Sequence, residues 1–272
     1  MTTHTSTAQR SSKYPTTIGI DVGGTGMKGG LVRLGSGPKA GTLRGDRFRI
    51  PTPQPAMPEP VAATLAAITA ELDGREKAPK PSAPLGVCFP SIVKDGVCLS
   101  ANNIDHSWIG TDLRGTFEEH LRRPVTVVND ADAAGLAEVA YGDDIVRTGP
   151  VIFLTLGTGI GSAFLLDGQL FPNTEIGHLI VGEQEAEHQA SSAVKDREGL
   201  KTKQWAKRVN RVLYEYEALF NPSAFVIGGG ISRKFDKWGE HLSIETPVVA
   251  AQLRNRAGIV GAAMAAKEGI RP

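Results

Sequence analysis

Two short runs carry the clearest chemistry in this chain: Ile20-Asp21-Val22-Gly23-Gly24-Thr25-Gly26-Met27-Lys28 and, about 130 residues later, Phe153-Leu154-Thr155-Leu156-Gly157-Thr158-Gly159-Ile160-Gly161. Each is an apolar strand entering a turn rich in Gly and Thr, and each leads into another β-rich run. A hairpin tip of this kind exposes backbone N–H groups with no bulky side chain in front of them, which makes a concave anion site. Two such tips can grip one phosphoryl chain from both sides. Gly23, Gly24, Thr25, Thr155, Gly157, Thr158, Gly159 and Gly161 are therefore candidate phosphate contacts. One turn alone reads as an ordinary tight hairpin; the pair, with Asp21 at the mouth of the first, favours the anion site. Asp21 would repel bare phosphate, so it fits only if Mg²⁺ or a similar cation, or its water shell, intervenes. Lys28 reads equally as a neutralising cation or as a solvated strand residue.

Further groups could serve an acceptor. Val127-Val128-Asn129-Asp130-Ala131 ends an apolar strand with a carboxylate at a helix start. Asp130 is either the N-cap of an Ala-rich helix or a base that takes the proton of a hydroxyl attacking phosphorus; spacing leaves both open. Glu175-Ile176-Gly177-His178, with Glu187 nine residues further on, suits hydrogen bonding to a polyhydroxylated ligand, since neighbouring hydroxyls need paired acceptors and donors. Asn103 and Asn129 could join this set, although a loop Asn also serves as a turn residue. The His and Glu residues show no ligand spacing typical of zinc. Gly228-Gly229-Gly230 follows the apolar run Phe225–Ile227 and either approaches a nucleotide donor or only caps the strand. None of these turns is a Walker loop or a dinucleotide fingerprint.

Lys203, Lys207 and Arg211 recur at helical spacing beside an apolar face of Trp205, Val209, Val212, Tyr216 and Leu219, and Arg233, Lys234 and Lys237 form a second basic group. A solvated face is the default for such residues. A basic track leading from a phosphate cleft would instead suit a long inorganic polyanion.

The elements that must position these groups read as an α/β chain. Strands are expected at Thr16–Asp21, Met27–Leu34, Leu43–Ile50, Leu85–Phe89, Val93–Leu99 and Val125–Val128, with helices at Pro58–Leu72 and Thr111–Leu121. A second set follows Pro150: Val151–Leu156, Gly161–Leu166, Gln169–Phe171, Leu179–Val181, a helix near Lys201–Leu219, and Ala224–Ile227. Three strands, then helix, strand, helix and strand, describe a ribonuclease-H-like unit, and the second set suggests a duplication. Residues 1–13 read as a disordered tail, 14–130 as one α/β domain and 131–256 as another, with a helix at about 257–268 packing back on the first. The 272 residues carry a net charge of +1, so no global field points to nucleic acid or a membrane. Two cysteines make no disulfide framework, and no apolar window approaches the roughly 18 residues of a membrane span. A cytoplasmic setting is expected.

Taken in order, Asp21-Val22-Gly23-Gly24-Thr25, Asn129-Asp130-Ala131, Leu156–Gly161, Glu175–His178 and Gly228–Gly230 resemble the motifs of the ROK family of sugar kinases and repressors, within the actin-like ATPase superfamily that includes hexokinase. The resemblance spans nearly everything from Thr16 to Ala266. It implies two ribonuclease-H-like domains around an active-site cleft, Asp130 as catalytic base, and Asn103, Asn129, Asp130, Glu175, His178 and Glu187 around the sugar. Most members carry a cysteine-rich zinc motif after the Gly-His pair. Here Gly182-Glu183-Gln184-Glu185-Ala186-Glu187 retains only its final Glu, so zinc is not expected. That loss, with Glu185–Ser192, Lys201–Arg211 and Ser232-Arg233-Lys234, resembles the actinobacterial polyphosphate glucokinase branch, within which kinases that use both polyphosphate and ATP, and act on glucose and mannose, match best. Mg²⁺, those donors and sugars, and a homodimer are the expected cofactor, substrates and assembly. No helix-turn-helix region of the repressor kind precedes the first strand. A non-catalytic sugar sensor and an ATP-only hexokinase are the alternatives.

Overall fold

The computed structural model describes residues 15–102 and 104–272; the expected tail and Asn103 lie outside the described residues. The chain begins with an antiparallel meander, β1 (Thr16–Gly23), β2 (Gly26–Arg33) and β3 (Thr42–Ile50). After α1 (Pro58–Asp73) come β4 (Leu85–Phe89), a small hairpin of β5 (Val93–Lys94) and β6 (Val97–Cys98), α2 (Leu113–Leu121) and β7 (Val125–Asn129). The first sheet has the order β3-β2-β1-β4-β7, and its last three strands are parallel. β4 is buried along its whole length, as befits a parallel strand covered on both faces.

α3 (Asp130–Tyr141) leads into the second half. β8 (Pro150–Leu156), β9 (Ile160–Leu166) and β10 (Gln169–Phe171) form another meander. There follow a hairpin of β11 (Ile180–Val181) and β12 (Gln184–Glu185), then α4 (Ala186–Ala190), α5 (Ser192–Arg197), α6 (Thr202–Phe220), β13 (Ala224–Gly228), β14 (Val248–Ala250) and α7 (Ala257–Glu268). The second sheet, β10-β9-β8-β13-β14, repeats the antiparallel-then-parallel order of the first. The expected duplicated α/β architecture is therefore the observed one.

α1 and α2 cover one face of the first sheet, where Phe89, Trp108 and Phe117 stack edge to face. α7 covers the other at very short range: a methyl on Gly86 would collide with the carbonyl oxygen of Ala262. α3 lies on the second sheet and packs directly on α7, with Gly261 against the backbone of Ala133. This helix pair joins the two halves, and the ends of β1, β7 and β8 open beside it.

Three expectations need correction. Val93–Leu99 is not one strand: Asp95 and Gly96 adopt positive φ and fold it into a hairpin. Leu219 lies outside the buried face of α6, being 59 % exposed, because the helix ends one residue later and has left the core. The short α4, α5 and β14 fall where no element was expected; they have three to six residues each, too few to show a period. Among the described residues no helix is long and apolar enough to cross a membrane.

Candidate active site

The β1–β2 and β8–β9 turns face each other across a cleft of about 770 Å³, lined by Gly23, Gly24 and Thr25 on one side and by Thr155, Gly157, Thr158, Gly159 and Gly161 on the other. The carbonyls of the first turn are all occupied. Thr52 Oγ1 donates to Gly23 O, Gln54 Nε2 to Gly24 O (3.1 Å), and an Arg49 guanidinium nitrogen to Thr25 O (3.1 Å). With its acceptors tied back to β3 and the loop after it, this turn is braced by the protein itself, and its tip faces the cleft. Nothing local in the sequence marks these three anchors, which act from 24 to 30 residues away.

Asn129, not Asp130, caps α3: its Oδ1 accepts from the N–H of Ala131 (2.8 Å) and of Asp132 (3.2 Å). Its Nδ2 donates to Ser91 O (2.9 Å), so most of the Asn129 amide is committed to the protein. Asp130 is the first helical residue, and one of its carboxyl oxygens accepts from the Ala131 N–H (2.8 Å). The carboxyl opens on the cleft, yet protein packs densely around it. That crowding, together with the carboxylates of Asp21 and Glu175, pushes its pKa up to about 7. Such a value suits a proton acceptor near neutral pH.

At the far end of the cleft stand Glu175, His178 and Glu187, joined by Glu185 and His188. His178 Nδ1 is hydrogen-bonded to Glu185 (2.9 Å) and lies 3.8 Å from Glu187. The Glu185 bond, helped by the other carboxylates, raises the His178 pKa; burial, then Glu187, raises that of Glu175. Glu187 also accepts from the Ile160 N–H (3.1 Å), which ties this cluster to the second turn. His178, Glu185 and Glu187 can bring one ligand atom each within 4.8 Å of one another. The set holds one imidazole and two carboxylates and no thiolate. Glu185 was not among the expected sugar contacts; its position two residues before Glu187 was the available signal. Ser91, Ser100 and Asn102 line the cleft as well, again unforeseen.

A smaller cavity of about 210 Å³ lies behind Asp130 and Thr155, which line both it and the cleft. It is lined by Asp21, Lys28, Asp130, Thr155, Gly228 and Gly229, among others. Lys28 is an ion-pair partner, with Nζ 3.2 Å from Asp21. The buried Cys88 thiol, its pKa raised by that burial, donates to Asp21 at 3.5 Å. Asp21 and Asp130 thus present hard oxygen donors to one small space, a set that fits hydrated Mg²⁺. Gly229 has φ +82° and lies against the backbone of Leu156; Gly230 is outside the lining. Of the basic residues, Arg233 lines a third cavity described below. Lys203, Lys207 and Arg211 are exposed on α6, and Lys234 and Lys237 are exposed beyond β13; none of these five lines a described cavity.

Two ribonuclease-H-like halves around a cleft with paired phosphate-type turns define a class, and the comparisons give its family. Residues 17–199 match the ROK family model, and the chain belongs to the ROK family. It is 50 % identical over 268 residues to a polyphosphate glucokinase of Mycobacterium tuberculosis, covering 96 % of this chain and 97 % of that one. Among solved structures it superimposes on an inorganic polyphosphate/ATP-glucomannokinase from Arthrobacter sp. strain KM, with a TM-score of 0.87, 49 % identity, and 94 % and 99 % of the two chains covered. A ROK family glucokinase from Streptomyces griseus, solved with glucose and AMPPNP, matches with a TM-score of 0.77 and 25 % identity over 93 % of this chain and all of that one.

Proposed function

We propose that this chain transfers the terminal phosphoryl group of inorganic polyphosphate or ATP to the 6-hydroxyl of glucose, and also of mannose. One observation carries the reading: Asp130 and Thr155 line both the large cleft and the small cavity behind it. A sugar in the first and a phosphate donor in the second would meet at that point. The likeness to a polyphosphate glucokinase and to a polyphosphate/ATP-glucomannokinase supports the same chemistry.

The sugar is held by Glu175, His178 and Glu187, with Glu185 orienting the imidazole, and by Asn103 and the free part of Asn129. Ionised Asp130 takes the hydroxyl proton. Backbone N–H groups of Gly23–Thr25 and Thr155–Gly161 stabilise charge on the group in transit. Mg²⁺ held near Asp21 through water would supply positive charge to the donor oxygens. Zinc has no place in this scheme, because the His178 cluster serves the sugar. Closure of the halves about the α3–α7 contact excludes water, a competing acceptor. The protein is proposed to act in the cytoplasm as a homodimer.

The test is a coupled glucose 6-phosphate assay on purified protein with each donor, repeated for Asp130→Asn. The substitution should keep glucose binding and lower kcat by about 10² to 10⁴-fold, the usual worth of a general base. Wild-type protein that binds glucose but forms no phosphorylated sugar with either donor would be a sensor instead. Turnover with ATP alone would leave an ATP-only hexokinase.

A further inference from the structure

Behind the small cavity lies a third, open one of about 600 Å³, and its lining is dominated by arginine: Arg47, Arg233, Arg254 and Arg256. They come from three separate places, β3, the turn after β13, and the segment before α7, so the sequence gives no run that announces the cluster. All four are exposed. Among the described residues none forms an ion pair with a carboxylate, whereas Arg75, Arg123, Arg147 and Arg208 each do. Among the described residues no acidic side chain lines the basin. Of the four, Arg256 acts on a carboxylate, that of Glu138, and it does so without a close ion pair. The cluster as a whole is an excess of positive charge around one hollow, and the guanidinium fork matches phosphate oxygens.

The basin is built and connected. Buried Glu138 accepts from the N–H groups of Gln252 (2.8 Å) and Leu253 (2.7 Å), which braces the backbone that carries Arg254 and Arg256. Arg254 and Asn255 line both the basin and the small cavity. Asp130 and Thr155 then connect that cavity to the cleft. Along this passage the carboxylates are answered locally, Asp21 by Lys28 and Glu138 by backbone N–H groups and, at longer range, by Arg256. The passage also meets the start of α7, whose first turn has no side-chain cap.

We propose that the arginine basin is the distal subsite for a linear inorganic polyphosphate, whose reacting end lies between the two Gly-Thr turns at Thr155 and Asp130. The assignment rests on the phosphotransferase reading above and gives the donor a route through the molecule. A long chain carries charge on every residue and keeps meeting cations after it leaves the small cavity. A nucleotide ends in an uncharged nucleoside and a tripolyphosphate ends altogether, so neither draws on the basin to the same extent.

The test is a triple variant, R47Q/R233Q/R256Q, compared with a charge-matched control, K80Q/K267Q/R271Q, whose residues lie outside all three cavities. The first should raise KM for long-chain polyphosphate roughly tenfold or more at low salt, since several modest contacts are lost together. KM for tripolyphosphate, ATP and glucose should stay within about twofold in the same variant, as expected for scattered exposed charges. Calorimetric titration with long-chain polyphosphate, in the absence of sugar, should show the same loss of affinity without any turnover. Equal losses in the control variant, equal losses for all donors, or undiminished polyphosphate binding would each overturn the basin. Wild-type protein that binds the polymer through the basin but transfers no phosphoryl from it would refute the donor reading and leave the binding site standing. Wild-type protein that does not bind the polymer would overturn the basin itself.

Discussion

Protein crowded around Asp130, and after it the neighbouring carboxyls, set the pH range in which it can accept a proton. Crowding by protein, then Asp21 and Glu175, hold its pKa near 7. A base must be ionised, so kcat/KM should fall as pH drops through about 7, by about tenfold per pH unit below it. A cation bound near Asp21 would move that limb to lower pH. A pH–rate profile that stays flat down to pH 5 would remove Asp130 from the role. Asp132, fully buried beside it, gives a second and independent prediction. Its Oδ2 accepts from the Asn173 N–H (2.8 Å), while its Oδ1 has no partner among the described residues. Burial lifts its pKa from 3.8 to about 7. A carboxyl raised in this way favours folding in its protonated form. Its contribution is fully present below the unfolded pKa and is lost as pH rises to 7 and beyond. Asp132→Asn should therefore raise Tm at pH 8 and have little effect near pH 4. The cost it relieves is at most about 4 kcal/mol. Thermal melts that show no pH-dependent gain would mean the carboxyl is better solvated than its burial indicates.

At the scale of elements, the donor site depends on how the β1–β2 turn is tied back. Thr52 and Gln54 hold the carbonyls of Gly23 and Gly24, and neither lines the cleft. A Thr52→Val, Gln54→Ala double variant should lower kcat with either donor by about tenfold, because loosely aimed N–H groups stabilise transferred charge less well. KM for glucose should not change. A rise in glucose KM with kcat intact would show that these anchors serve the sugar side instead. The turn itself was legible in sequence, since Gly and Thr at a strand end leave few conformations. Its anchors were not, because they come from a different strand and loop and make contact only after folding. The same division runs through the molecule. The long buried strands and the helix at Thr202–Phe220 showed their period, whereas the Asp95-Gly96 hairpin depended on two backbone conformations that an apolar run conceals. Asn129 and Asp130 were found together, but which of them caps α3 is decided by side-chain orientation. Glu185 is adjacent to sequence motifs and became visible only as the partner of His178.

For the whole molecule the near-zero net charge matters. At +1 over 272 residues the chain has no overall field to gather polyanions, so donor attraction must come from local groups of cations. Exposed cations are screened over about 8 Å at physiological ionic strength. A donor that meets many of them should lose affinity with added salt more steeply than one that meets few. KM for long-chain polyphosphate is therefore expected to climb with ionic strength, KM for ATP to climb less, and KM for glucose to remain level, because an uncharged sugar bound by hydrogen bonds feels little screening. The comparison requires constant free Mg²⁺, since salt also competes for the cation. If ATP and polyphosphate showed the same salt dependence, both donors would be using only the contacts between the two Gly-Thr turns. The arginines beyond them would then be a solvated surface with no part in the reaction.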